Sequence, residues 1–155
     1  MCGGTIMSKS IRQVPASQSA AAGFKTGFVG DIEELTEDNV NFRRVLYTGE
    51  NLQLVLMSIQ PGEDIGEETH TDVDQFFRVE KGKGEVWIDG NRSAIKSDHA
   101  IVVPAGAKHN IVNTGDKPLQ LYTIYAPPHH HVSTVQATRA EALASKEKFD
   151  GKTTE

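Results

Sequence analysis

The sequence predicts an all-β domain, a sandwich or small barrel, on three observations. From Phe42 onward, short runs rich in Val, Ile, Leu, Phe and Tyr recur at regular spacing. Turn residues separate them, with no helical apolar pattern in between. Asp89-Gly90 marks a tight hairpin, because a primed turn needs residues that tolerate positive φ. Seven or more strands joined this way favour a sandwich or barrel.

The elements follow in order. Residues 1 to about 24 hold Gly3-Gly4 and the stretch from Pro15 to Ala22; they lack periodicity and large apolar side chains and read as a disordered lead. Asp31 with Glu34 forms an N-cap pair, which predicts one short helical turn over Asp31 to Leu35. The predicted strands are Phe42–Tyr47, Leu52–Ile59, Gln75–Val79, Glu85–Ile88, Ala100–Val103, Asn110–Asn113 and Leu119–Tyr125. Leu54-Val55-Leu56-Met57 is apolar on both faces, so one face lines the core and the other is expected to meet a second subunit in a homodimer. Beyond Ala126-Pro127-Pro128 stands His129-His130-His131, either a solvated loop or the closure of a barrel mouth. Thr138 to Lys148 reads as a C-terminal helix capped by Thr138, with Glu141 at its third position. The domain thus spans 25–128, followed by a C-terminal extension over 129–155.

Composition narrows the function. The chain has 155 residues, enough for one well-packed domain. Its 16 basic and 21 acidic residues are spread along the chain without a basic block, which argues against nucleic acid as partner. The longest apolar run, Leu52 to Ile59, falls far short of the roughly 20 residues that span a bilayer. No signal pattern stands at the N-terminus, and Cys2 is the single cysteine, so an internal disulfide and a cysteine zinc site are excluded. A soluble, cytoplasmic protein acting on a small molecule is the expectation.

Four residues carry candidate chemistry. Residues two apart in a strand share a face, so Glu68 and His70 can aim a carboxylate and an imidazole at one point. Gln75 opens the next strand, and His109 follows the turn at Pro104-Ala105-Gly106. Donors from separate strands converge inside a small barrel, which is what a metal site needs. Strand alternation places Phe77 and Val79 inward with Gln75, and puts His109, Ile111 and Asn113 on one face. Asn113 is expected to tie down a turn, and Tyr47, Tyr122 and Tyr125 to serve packing more than chemistry.

These residues also carry a resemblance. Gly62, Glu68, His70, Gln75 and Gly82 follow the spacing of the first cupin motif, Gly-x5-His-x-His-x3-4-Glu-x6-Gly. Asp98, Pro104, Gly106, His109 and Asn113 follow the second, Gly-x5-Pro-x-Gly-x2-His-x3-Asn. Over roughly residues 40 to 126 the chain resembles stand-alone, single-domain cupins of the kind likened to mannose-6-phosphate isomerase. The resemblance implies a small double-stranded β-helix, or jelly-roll barrel, around one divalent transition metal (Mn, Fe, Ni or Zn) held by Glu68, His70, Gln75 and His109.

Two departures bear on chemistry. Glu68 stands where the family has a histidine, and Gln75 where it has glutamate, so the negative charge of the donor set is kept while its oxygen content rises. Gln75 either ligates the metal or orients a metal-bound water. Asp98 replaces a turn glycine, a matter of local backbone. The resemblance implies an enzyme that isomerises, epimerises or decarboxylates a sugar, hydroxy acid or dicarbonyl. A non-haem metal dioxygenase and a non-catalytic binding module are the alternatives, as is a barrel that has lost its metal.

Overall fold

The computed structural model describes residues 23–155. The expectation of a disordered lead, and Cys2 with it, falls on residues 1–22, outside the described residues. The rest folds as ten strands and two short helices, among the described residues. In chain order these are α1 (Ile32–Asp38), β1 (Arg43–Thr48), β2 (Gln53–Ile59), β3 (Glu68–Thr69), β4 (Asp74–Lys81), β5 (Lys83–Ile88), β6 (Asn91–Lys96), β7 (Ala100–Val103), β8 (Lys108–Val112), β9 (Leu119–Ala126), β10 (Val135–Gln136) and α2 (Arg139–Ala144).

Two antiparallel sheets face each other. One has the order β10-β1-β2-β9-β4-β7 and the other β3-β8-β5-β6. Apart from the β1-β2 and β5-β6 hairpins, the neighbours along each sheet are distant in sequence, as in a jelly roll. Between the sheets lies one core that includes Val55, Met57, Phe77, Val86, Ile111, Leu119 and Leu121. Full burial of a side chain such as Phe77 or Ile111, both at 0 % exposure, contributes roughly 1.5–3 kcal/mol.

Strand alternation holds along β4, where Gln75, Phe77 and Val79 are buried and Phe76 and Arg78 half-buried on the opposite face. His109, Ile111 and Asn113 are likewise buried together. The Asn113 amide donates to Ile59 O and Lys117 O and its oxygen accepts from Gly115 N, so it does fasten a turn. Asp89 and Gly90, with φ of 45° and 82°, form the two-residue turn that sets Ile88 opposite Asn91. Asp98 adopts φ 73°, the conformation that glycine supplies elsewhere. At Gly82, φ is +91° and an added Cβ would sit 2.6 Å from Pro118 O.

The apolar outer face of β2 is partly covered within the chain itself. Gln120 Nε2, on the outer side of β9, donates to Glu37 O and Asn39 O and holds α1 there. α1 packs on β9, β4 and β2, and Leu56 is 1 % exposed although it lies outside the core cluster. Asp31 caps α1 through Glu34 N at 3.0 Å, and the helix continues one turn past the predicted Leu35.

α2 begins at its predicted cap, with Thr138 accepting from Glu141 N at 3.1 Å, but ends at Ala144 rather than near Lys148. Ser145 N closes on Glu141 O and Ala142 O, and the chain then turns extended. That turn brings Glu147 to His130 and Phe149 N to His129 O, tertiary bonds that a continued helix would forfeit.

Candidate metal centre

β3 and β8 position two of the donors. Glu68 and His109 are register partners across this antiparallel pair, and His70 follows β3 directly. The turn at Pro104 to Ala107 holds His70 in place, because Gly106 N donates to His70 O at 2.6 Å and Ala107 N to Pro104 O at 3.1 Å. Glu68, His70 and His109 each present one ligand atom, and these atoms lie within 4.8 Å of one another. The three therefore form a group able to hold a metal ion.

The hydrogen bonds of the group suit a cation. His109 is 1 % exposed and its Nδ1 donates to Ala107 O at 3.0 Å, which leaves the lone pair on Nε2. That Nε2 is buried and has no hydrogen-bond partner among the described residues. A buried acceptor left bare costs roughly 1–3 kcal/mol. An imidazole fixed through one nitrogen and bare at the other is how a metal-binding histidine is prepared. His70 Nε2 meets Glu68 Oε2 at 3.2 Å, and a cation between them would take the place of the shared proton. Burial works to raise the Glu68 carboxyl, but the hydrogen bond and charge of His70 and the charge of Arg43 outweigh it and hold the group below its usual range.

Gln75 enters from β4 and is 2 % exposed. Its Nε2 donates to Thr123 Oγ1 at 3.0 Å, while its Oε1 is buried without a partner. Gln75 Oε1 and His109 Nε2 are thus two of the buried acceptors without a partner, alongside Asn110 Oδ1 and Thr134 Oγ1. Of these, Gln75 and His109 are the residues singled out from sequence.

The wall of the site holds residues that the sequence left vague. Tyr125, opposite Gln75 in the β4–β9 register, is 1 % exposed. His129 stacks on Tyr125 at 5.5 Å between ring centroids and lies 4.4 Å from the ring of His70. Burial, with the neighbouring charges of His130 and His70, pushes His129 down to about 4, so it is neutral at neutral pH. His130, 6 % exposed, meets Glu147 Oε1 through Nδ1 at 2.6 Å and the Tyr125 hydroxyl through Nε2 at 3.1 Å. With Nδ1–H donating to the carboxylate, Nε2 accepts from the Tyr125 hydroxyl. Burial lowers His130, while Glu147 stays ionised near pKa 2: burial opposes this, but bonds from His130 and His131 N–H prevail.

Gln53, fully buried, fixes this histidine segment. Its Oε1 accepts from His129 N and His130 N, and its Nε2 donates to His130 O and Thr48 Oγ1. The triple histidine therefore closes the barrel at His129 and His130. Only His131 faces outward, bonded to Ser133 and Asp150. Of the other tyrosines, Tyr122 packs on Phe76 and Tyr47 donates to Glu155, both away from the centre.

Beside Glu68 lies a cavity of about 70 Å³, lined by Phe42, Arg43, Ile65 and Glu68 and by Arg139 and Ala142 of α2. Arg43 stands at the start of a strand rich in apolar residues, and nothing in the sequence marked it. Its signal is three-dimensional: a guanidinium 6 % exposed whose Nε has no partner.

Comparison with known proteins agrees with this architecture. A model of the cupin domain family matches residues 55–125. The uncharacterized protein YrkC of Bacillus subtilis is 47 % identical over 126 residues, covering 77 % of this chain and 68 % of that protein. The crystal structure of BH2720 from Bacillus halodurans superposes with a TM-score of 0.75 at 50 % identity, covering 76 % of this chain and 94 % of that one. A segment of the mannose-1-phosphate guanylyltransferase of Escherichia coli is 29 % identical over 76 residues, 49 % of this chain and 16 % of that enzyme. With the two sheets, the spacing of both motifs and these matches in hand, the chain belongs to the cupin family.

Proposed function

We propose that this chain is a mononuclear metal-dependent enzyme acting on a small oxygenated molecule, with Glu68, His70, His109 and Gln75 as the protein ligands. The observation that supports it most is His109, whose Nδ1–H is committed to Ala107 O while its Nε2 is buried and bare. The equally bare Gln75 Oε1 favours direct ligation over a bridging water. Mn, Fe, Ni or Zn suits two imidazoles and two oxygens. Bound there, a divalent ion supplies Lewis-acid polarisation of a substrate carbonyl or hydroxyl oxygen.

The chain's own residues supply the rest. His129 and Tyr125 wall the centre and keep water from that side. Tyr125 donates to His130, and its oxygen, beside Gln75 and Arg43, would accept a substrate proton. It takes that proton as its own passes to His130 Nε2, and Glu147 stabilises the imidazolium that results. Proton removal of this kind serves isomerisation, epimerisation or decarboxylation of a sugar, hydroxy acid or dicarbonyl.

A second reading has its own support. Two histidines and one carboxylate are the donor set of non-haem Fe(II) oxygenases, which keeps oxygen chemistry in view if Gln75 stays off the metal. Untagged protein reconstituted with each metal, then assayed with sugars, hydroxy acids and dicarbonyls for product and for oxygen uptake, separates the readings. Turnover without oxygen uptake supports the first. Fe(II)-dependent oxygen uptake supports the second, and stoichiometric metal without any turnover would leave a binding module.

A homodimer belongs to the same proposal. The strand register lines up Leu54, Ile124, Phe76 and Val102 across the outer face of β2, β9, β4 and β7, with Val102 65 % exposed, and that apolar stripe supports pairing of two copies. Among the described residues no helix is long and apolar enough to cross a membrane.

A further inference from the structure

We infer that Arg43 and the cavity beside Glu68 form an anion subsite, so that the small molecule taken by the metal centre carries a carboxylate. The inference rests on the metal reading above and narrows its substrate class. A buried guanidinium is expensive to leave without a counter-charge. Arg43 is 6 % exposed and makes no ion pair among the described residues, although Arg78, Arg92 and Arg139 all do. Its one charged-group hydrogen bond runs from Nη1 to the neutral Gln136 Oε1 at 2.8 Å, and its Nε has no acceptor. The donor left over towards the cavity is Nη2, which can give a carboxylate one charge-assisted bond.

Charge and volume agree with that occupant. Glu68 is the carboxylate that lines the same cavity as Arg43. A divalent ion on Glu68 would take that charge for itself and leave the pocket net positive, which calls for an anionic ligand. The cavity of about 70 Å³ has Arg43 and Glu68 in one wall and Arg139 and Ala142 in the other. Arg139 is already satisfied, by Asp64 O at 2.8 Å and the Asp64 carboxylate at 2.7 Å, which leaves Arg43 to receive the ligand. Such a volume holds about five waters, comparable to the heavy atoms of a two- or three-carbon acid. A hydroxy or keto acid would reach the metal with its hydroxyl or carbonyl oxygen and Arg43 with its carboxylate.

The test is calorimetric titration of metal-loaded protein with pyruvate and lactate, and with their methyl esters, with metal content measured on the same samples. In wild type the acids should bind more tightly than the esters. Arg43→Gln should cut that preference about tenfold or more while metal stoichiometry stays unchanged. Ala142→Phe, which fills the cavity from α2 and leaves Arg43 in the sequence, should weaken the acids in the same way, so the outcome does not hinge on Arg43→Gln folding. Acid affinity unchanged in either variant, or equal affinity for acid and ester in wild type, overturns the inference. If wild type takes up no metal, the metal reading fails. The same titration of metal-free wild type and Arg43→Gln then decides the subsite: an acid preference lost in the variant upholds it, and no preference overturns it.

Discussion

Replacing Gln53 by Met tests how the wall of the centre is held. The two side chains are close in volume, so little cavity is created, and the change isolates the amide. Four hydrogen bonds go: from His129 N at 3.2 Å, from His130 N at 2.9 Å, to His130 O at 2.8 Å and to Thr48 Oγ1 at 2.9 Å. At about 0.5–1.5 kcal/mol net for each, the loss is roughly 2–6 kcal/mol, and we expect about 3 kcal/mol after relaxation of the loop. For a chain of this length that corresponds to a fall in Tm of roughly 6–12 °C. Urea denaturation gives the free energy, and amide exchange locates it: His129 and His130 should lose protection well ahead of β4 and β9. A loss under about 1 kcal/mol, with exchange at His129 and His130 unchanged, would refute the view that Gln53 pins the histidine segment.

Two further outcomes are open to measurement. Glu147 sits near pKa 2, below its usual value near 4.5, so its contribution is present above about pH 4.5 and is lost as pH falls towards 2. Glu147→Gln should cost roughly 2 kcal/mol at pH 7, after discounting for its partial exposure and coupling to His130, and should flatten the stability loss seen between about pH 4.5 and 2.5 in urea midpoints. Gly82→Ala should destabilise by roughly 2–4 kcal/mol, since φ of +91° is strained for alanine and its Cβ would press on Pro118 O; an unchanged thermal midpoint would contradict this.

Much of the fold was legible because β structure writes its alternation into sequence. Gln75, Phe77 and Val79 read inward and are inward, and Ala100–Val103 has the predicted limits. β6 was not foreseen as a strand, because Asn91–Lys96 is largely polar and exposed apart from Ile95 and pairs only with β5. β3 and β10 have two residues each and exist only through pairing with β8 and β1. Glu68, His70 and His109 were legible as candidate donors through the cupin motif spacing, and the structure brings their ligand atoms within 4.8 Å of one another. Arg43, Gln53 and Glu147 were not, because their roles depend on partners 93, 77 and 17 positions away, which no local pattern reports. The early end of α2 has the same origin, with the bonds of Glu147 and Phe149 overriding the local helical preference.

The central claim is the metal centre itself, and elemental analysis of untagged protein tests it most directly. Wild type should carry about one divalent metal per chain, and Glu68→Ala and His109→Ala should each lose it while keeping the β-sheet circular dichroism of the parent. Wild-type occupancy retained in both variants would contradict the account.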